Sequence, residues 1–174
     1  MTQQILVPID GSKHAQKALE LAARIAAGSD ARLSVIHVLI HGHVPGDLRA
    51  LSDVAIDEGL EEAPREGFTE ASLPRSGADA HVEPAEAPRE LLEDIAGKLL
   101  ERAERTAREH GVDRVETAWC AGDPARAILD QARERGADMI VMGSRGLGDL
   151  AGLVTGSVSH KVSHVFDGTV VTVK

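Results

Sequence analysis

Five glycines fall within the fourteen residues "GSRGLGDLAGLVTG", positions 143 to 156, directly after the apolar run "ADMIVM". A backbone so bare of side chains can turn its N–H groups toward an anion at close range, and Gly156–Ser157 opens a helix whose N-terminus favours phosphate. Arg145 can add a charge-assisted contact to the same anion. Far upstream, Asp10, Gly11 and Ser12 close the apolar run "ILVPI" and place a carboxylate and a hydroxyl at a strand end. Together these residue types support a phosphate site built mostly from backbone, with one carboxylate nearby. The plainer reading is that the glycines only shape a loop and a helix start.

The elements that must position these residues alternate short β-branched runs with amphipathic Ala/Leu stretches, the pattern of βαβ units and a mostly parallel sheet. "ILVPIDGS" predicts the first strand, with Pro8 near its end. The helix after it carries Ala15, Ala18, Leu19, Ala22 and Ile25 on one face and stops at Gly28. "RLSVIHVL" predicts a second strand, covered on both faces. Residues 41–87 are rich in Gly, Pro, Glu and Ala with weak periodicity, and read as a partly mobile insertion with a short helix around Leu48 to Leu60. Regular structure resumes with a helix whose face is Leu91, Leu92, Ile95, Leu99 and Ala103, stopped by Gly111. "RVETAWCAG" predicts the third strand. Asp123 caps the next helix with Pro124 in its first turn. "ADMIVMGS" is the fourth strand, Ser157 to Val165 the last helix, and "GTVVTV" the fifth strand. In an open sheet of this kind, ligands sit beyond the carboxyl ends of the strands where strand order reverses, beside the loops after strands one and four.

The chain has 174 residues, enough for one well-filled core, and residues 1–174 read as a single domain. Its formal charge of −9 and 2% aromatic content disfavour nucleic acid or an anionic membrane as a main partner. No stretch approaches the ~20 apolar residues of a bilayer crossing, and the N-terminus has no basic, signal-like start, so the expected compartment is cytoplasmic. The lone Cys120 agrees with a reducing environment. The acidic surplus also suits a high-salt cytoplasm, as it suits many ordinary bacterial proteins.

The Walker form GxxxxGK[ST] is missing, which argues against a P-loop kinase or GTPase. "GLGDLA", Gly146 to Ala151, matches a dinucleotide fingerprint by letter, but fewer than thirty residues follow it. Gly143, two residues, Gly146, nine residues and Gly156–Ser157 instead fit G-x2-G-x9-G-[ST]. That spacing, with "ILVPIDGS", "GDPARAIL", "ADMIVMGSRG" and the terminal strand in order, resembles the ATP-binding branch of the universal stress protein family. The resemblance covers residues 4 to 40 and about 88 to 174.

It implies an α/β fold: an open, Rossmann-like, five-stranded parallel sheet in order 3-2-1-4-5 with helices on both faces, as in the adenine nucleotide alpha hydrolases. It also implies ATP, with Mg²⁺ or Mn²⁺, between the first and fourth strand ends. Carried over by position, the site would comprise Pro8, Ile9, Asp10, Val38, Met142, Gly143, Arg145, Gly146, Gly156, Ser157, Val158 and Ser159. Among these, Asp10 would meet the ribose or the metal, the Val38 backbone would meet adenine, and Gly156 to Ser159 would hold the phosphates. A homodimer through residues 169–174 follows from the same resemblance. There Val170, Val171 and Val173 supply apolar surface, and Val171 is the natural edge donor to replace by proline. Two departures stand out: the long acidic 41–87 segment, and Asp167–Gly168–Thr169 where the family often has a proline.

Other candidate chemistry is weaker. His160 and His164 share a helix face without the Glu of a zinc protease motif. His37, His41 and His43 could cluster about a metal, Cys120 and Trp119 read as structural, and Ser12 and Ser157 lack a His–Asp pairing. The acidic run around Glu58 to Glu66 reads as a solvated face. Only Asp10 is an obvious group for metal or base work. The expected function is therefore ATP-dependent regulation of a partner protein in a stress or osmotic response, without assigned catalytic residues. A slow ATPase acting as a timed switch and a nucleotide-free interaction module are the alternatives. A membrane transporter, a kinase or a metabolic enzyme is each compatible as the partner.

Overall fold

The computed structural model describes residues 3–39, 89–146 and 156–174. The expectations for the 41–87 insertion, its short helix, its acidic run and its two histidines lie outside the described residues. Nine elements are described: β1 Gln4–Ile9, α1 Lys13–Ser29, β2 Arg32–Leu39, α2 Arg89–Glu109, β3 Val115–Ala121, α3 Pro124–Glu134, β4 Met139–Gly143, α4 Ser157–Val165 and β5 Thr169–Val173. All four strand pairings are parallel, and the sheet runs β3-β2-β1-β4-β5.

Strand alternation sends odd and even positions of β1 to opposite faces, each covered by helices. On one face Ile5, Val7, Leu33, Val35 and Val141 pack against the small, close-fitting residues Ala18 and Ala22 of α1 and Leu99 and Ala103 of α2. On the other, Leu6, Ile36, Ile140 and Met142 meet Ile128 and Leu129 of α3 and Val162 of α4. The Ser12 hydroxyl caps α1 by accepting from the Ala15 N–H at 3.2 Å, and Asp123 caps α3 in the same way from the Arg126 N–H at 3.0 Å. α1 does not stop at Gly28. It runs to Ser29, and Asp30 takes the left-handed position at φ 53°, which a short polar side chain tolerates. Its carboxylate pairs with Arg114 at 2.8 Å.

The sheet is unevenly stitched. β1 is in register with β2 from Gln4↔Arg32 to Ile9↔His37, but with β4 only at Ile5↔Met139 and Leu6↔Ile140. The cause lies in the phase of β1. The Gln3 carbonyl accepts from Arg32 of β2 at 2.9 Å, whereas the Gln4 carbonyl accepts from Asp138, just ahead of β4, at 3.1 Å. Residues of one parity therefore bond to β2 and those of the other to β4. Pro8 falls in the β4 set, and proline has no N–H to give. The β1–β4 ladder ends just before it, and the sheet parts at the carboxyl ends of its two central strands.

Gly168, in the unusual "FDGT" turn before β5, has a packing reason of its own. A Cβ there would lie 2.7 Å from the Asp138 carbonyl oxygen and 2.4 Å from the Phe166 ring. Gly168→Ala should therefore destabilise the chain by about 1–3 kcal/mol, because a backbone carbonyl cannot swing aside as a side-chain tip can. Urea denaturation measures this, and an unchanged midpoint would contradict the packing argument.

Candidate functional site

The crevice left by the parted strands is bordered by three chain segments. From β1, Gly11 turns the chain at φ 85°, a conformation open to glycine. The Asp10 carboxylate folds back over this turn, its Oδ1 accepting from the Ser12 N–H at 3.0 Å. The turn thus holds the Asp10 carboxylate in place before any ligand is considered.

From β4, the chain passes close to both neighbours. A Cβ on Gly143 would lie 3.0 Å from the Ala15 nitrogen and 3.0 Å from the His14 carbonyl carbon, so the end of β4 rests on the first turn of α1. A Cβ on Gly146 would lie 2.5 Å from Asp10 Oδ2. The third segment is the start of α4. The Gly156 N–H donates to the Ser144 carbonyl at 2.7 Å, and the buried Ser159 hydroxyl shares its proton between the carbonyls of Ser144 (2.9 Å) and Gly156 (3.0 Å). The first bond of α4 runs from the His160 N–H to the Gly156 carbonyl, and Gly156 has no side chain to cap the amides of Ser157, Val158 and Ser159 that come before it. These amides lend the crevice a donor-rich, electropositive end.

The structure brings Asp10, Gly143, Arg145, Gly146, Gly156, Ser157 and Ser159 to this junction. Val38, Met142 and Val158 lie on the α3/α4 face and pack with the apolar cluster there. Pro8 shares that face by strand alternation, whereas Ile9 is buried on the opposite, α1/α2 face. The glycines serve the chain's own packing as well. A Cβ on Gly156 would press on the Ser144 carbonyl at 3.2 Å and the Arg145 Cα at 3.5 Å, so a larger residue there moves the loop whether or not a ligand is present.

Two residues beside the crevice were not assigned to it from the sequence. Ser144 is 2% exposed, and its hydroxyl has no hydrogen-bond partner among the described residues. His37, grouped in the sequence with two other histidines, instead has Nδ1 2.8 Å from the Ile9 carbonyl. Burial lowers its pKa below 6.5, against the opposing pull of that carbonyl and of the Asp10 charge. Elsewhere, the His160 and His164 rings lie 4.5 Å apart on exposed α4, and no group of three metal-ligating side chains occurs among the described residues. Burial raises the Cys120 pKa, which keeps the thiol protonated, and Trp119 is 39% exposed on edge strand β3. No described helix is long and apolar enough to cross a membrane.

The buried imidazole sets a sign for the pH dependence of stability. As pH falls through 6.5, the unfolded chain takes up a proton that the folded His37 refuses, so stability declines from there until the lowered folded pKa is reached. Urea midpoints taken from about pH 7.5 down to about pH 5.5 should fall for the wild type and fall less for His37→Asn. Equal slopes would show that His37 does not carry the effect.

Comparison with known proteins places this geometry in a lineage. The model of the universal stress protein family matches residues 1–70 and 44–174. Universal stress protein YxiE of Bacillus subtilis is 35% identical over 169 residues, covering 95% of this chain and 94% of its own. A solved universal stress protein in complex with cAMP superposes with a TM-score of 0.62 at 23% identity, over 99% of this chain and 97% of that one. The universal stress protein of Archaeoglobus fulgidus in complex with dAMP gives a TM-score of 0.57 at 20% identity, over 100% and 98%. The likeness to the two structures confirms the five-stranded fold, and the family match with the identity to YxiE settles the lineage: the chain belongs to the universal stress protein family.

Proposed function

We propose that the chain binds ATP, with Mg²⁺ or Mn²⁺, in the crevice between the ends of β1 and β4, and that it acts in the cytoplasm as a nucleotide-dependent regulator of a partner protein under stress. The observation that carries this reading is the meeting of Asp10, the Gly143–Gly146 turn and the start of α4 beyond the point where the β1–β4 ladder ends. The complexes of related universal stress proteins with cAMP and dAMP support an adenine nucleotide as the ligand class. In this reading the amides of Ser157 to Ser159 and the guanidinium of Arg145 hold the phosphates. Pro8, Val38, Met142 and Val158 offer the base an apolar wall. A divalent ion would be shared between the phosphates and Asp10, the usual arrangement when one carboxylate is at hand.

Turnover should be slow. In-line attack on a phosphate needs a positioned nucleophile, and a base if a water is to be activated. His37 is the described imidazole closest in chain pairing to Asp10, and its Nδ1 is engaged by the Ile9 carbonyl.

Gly146→Ala is the sharpest test of the site, because among the described residues its Cβ would meet only the Asp10 side chain, whereas one at Gly156 would meet backbone. Calorimetry should show ATP affinity falling by about tenfold or more in a folded Gly146→Ala protein. Unchanged affinity would sink the assignment. Single-turnover measurement on the wild type should give a rate well below the ~10 s⁻¹ common among enzymes, and a rate at that level would make the protein an enzyme.

Self-association through β5 belongs to the same proposal, with one change from the sequence reading. The Thr169 N–H donates to the Asp138 carbonyl at 3.0 Å, and the Val173 carbonyl accepts from Ser144 at 2.7 Å. Odd positions of β5, Val171 included, therefore bond inward to β4, and the outward groups belong to Val170 and Thr172. Val171→Pro would break the sheet itself. Thr172→Pro removes an outward donor instead, and light scattering should show a wild type of at least twice 18.4 kDa and a variant shifted to monomer. A monomeric wild type, with and without ATP, would refute the dimer.

A further inference from the structure

Two serines at the junction of β4 and α4 are buried to the same degree, each 2% exposed, yet their hydroxyls are in opposite states. Ser159 shares its one hydroxyl proton between two carbonyls, at 2.9 and 3.0 Å. The Ser144 hydroxyl has no hydrogen-bond partner among the described residues. Its main chain, by contrast, is fully engaged. The Ser144 N–H donates to the Val173 carbonyl at 2.7 Å, and its carbonyl accepts from the Gly156 N–H at 2.7 Å and from Ser159 at 2.9 Å. The main chain of Ser144 is thus held between β5 and the first turn of α4.

A sealed hydroxyl without a partner is costly, and nearly all such groups in native proteins are paired. Packing does not require this one, since alanine would fill almost the same space. The surroundings narrow what could satisfy it. Ser144 sits between Gly143 and Arg145, directly against the helix start whose amides Gly156 cannot cap. Both features are donors short of an acceptor, and a phosphate oxygen supplies acceptors to both at once.

We propose that the Ser144 hydroxyl is a phosphate-linked positioning group: unpaired in the ligand-free chain, it gains its hydrogen bond from a nucleotide phosphate at the first turn of α4. This rests on the adenine-nucleotide reading of the crevice and adds to it that the ligand-free fold carries a destabilising group which ligand relieves. Ligand binding then restores stability that the unpaired hydroxyl withholds.

The test compares nucleotide-free wild type, Ser144→Ala and Ser159→Ala by thermal melting, and then titrates each with ATP and with adenosine. Without nucleotide, Ser144→Ala should melt at or above the wild type, and Ser159→Ala below it, although both remove one buried hydroxyl. With ATP, Ser144→Ala should bind about tenfold more weakly than wild type, while adenosine, which has no phosphate, binds both equally. Ser144→Cys, close in volume and a poor donor, should follow Ser144→Ala. A nucleotide-free Ser144→Ala that melts below the wild type overturns the inference, because the hydroxyl would then have a structural partner. So does an unchanged ATP affinity, or an equal loss for adenosine and ATP. A wild type that binds neither ATP nor adenosine removes the proposed function itself, an outcome distinct from a wild type that binds both and a Ser144→Ala protein that binds them equally well.

Discussion

A single missing N–H organises this molecule. Pro8 stands in a central strand, the place where proline is least expected, and its phase directs the absent donor at β4 and not at β2. On the β2 side the ladder runs on past it to Ile9↔His37, where the strands share their full length. On the β4 side it ends. The crevice between β1 and β4, the placement of Asp10 at its lip and the freedom of the Gly143–Gly146 turn to lie over that carboxylate all follow from a ladder that stops three residues before the strand does.

What surrounds the crevice is close contact between backbones. Gly143 admits the first turn of α1, Gly146 admits the Asp10 carboxylate and Gly156 admits the Ser144 carbonyl. The glycine spacing that suggests an anion site is therefore explained twice, by a ligand's approach and by the chain's own. The two explanations are compatible, since close packing at Gly143, Gly146 and Gly156 keeps these three points of the chain in place when a ligand arrives.

Much of this was legible in the sequence, for identifiable reasons. The strands and helices announced themselves through apolar periodicity, and Asp123 and Pro124 through capping chemistry, because those signals are local. The strand order came from resemblance to a family, since periodicity says nothing about which strands are neighbours. The direction of the Pro8 gap and the inward bonding of Val171 were hidden for the same reason: which parity bonds to which neighbour depends on register. The sequence places Ser144 at the end of the fourth strand, but its burial could not be read there, because only the approach of α4 and β5 encloses it. α1 ends at Ser29, one residue past Gly28, because Asp30 takes the left-handed cap position that glycine was expected to fill.

The sheet is in effect two plates, β3-β2-β1 and β4-β5, joined along a short seam. α1 is laid across that seam, in contact with β1 and β2 on one side and with β4 and β5 on the other. Its buried face is nearly all alanine, so the helix lies close to both plates at once, like a splice over a joint. A tie of this kind also runs from the exposed Lys17 ammonium to the carbonyl of Lys174, at the far edge of the second plate. The two halves of the sheet are thus joined by a helix as much as by strand hydrogen bonds, through Leu19 and the five alanines of its buried face.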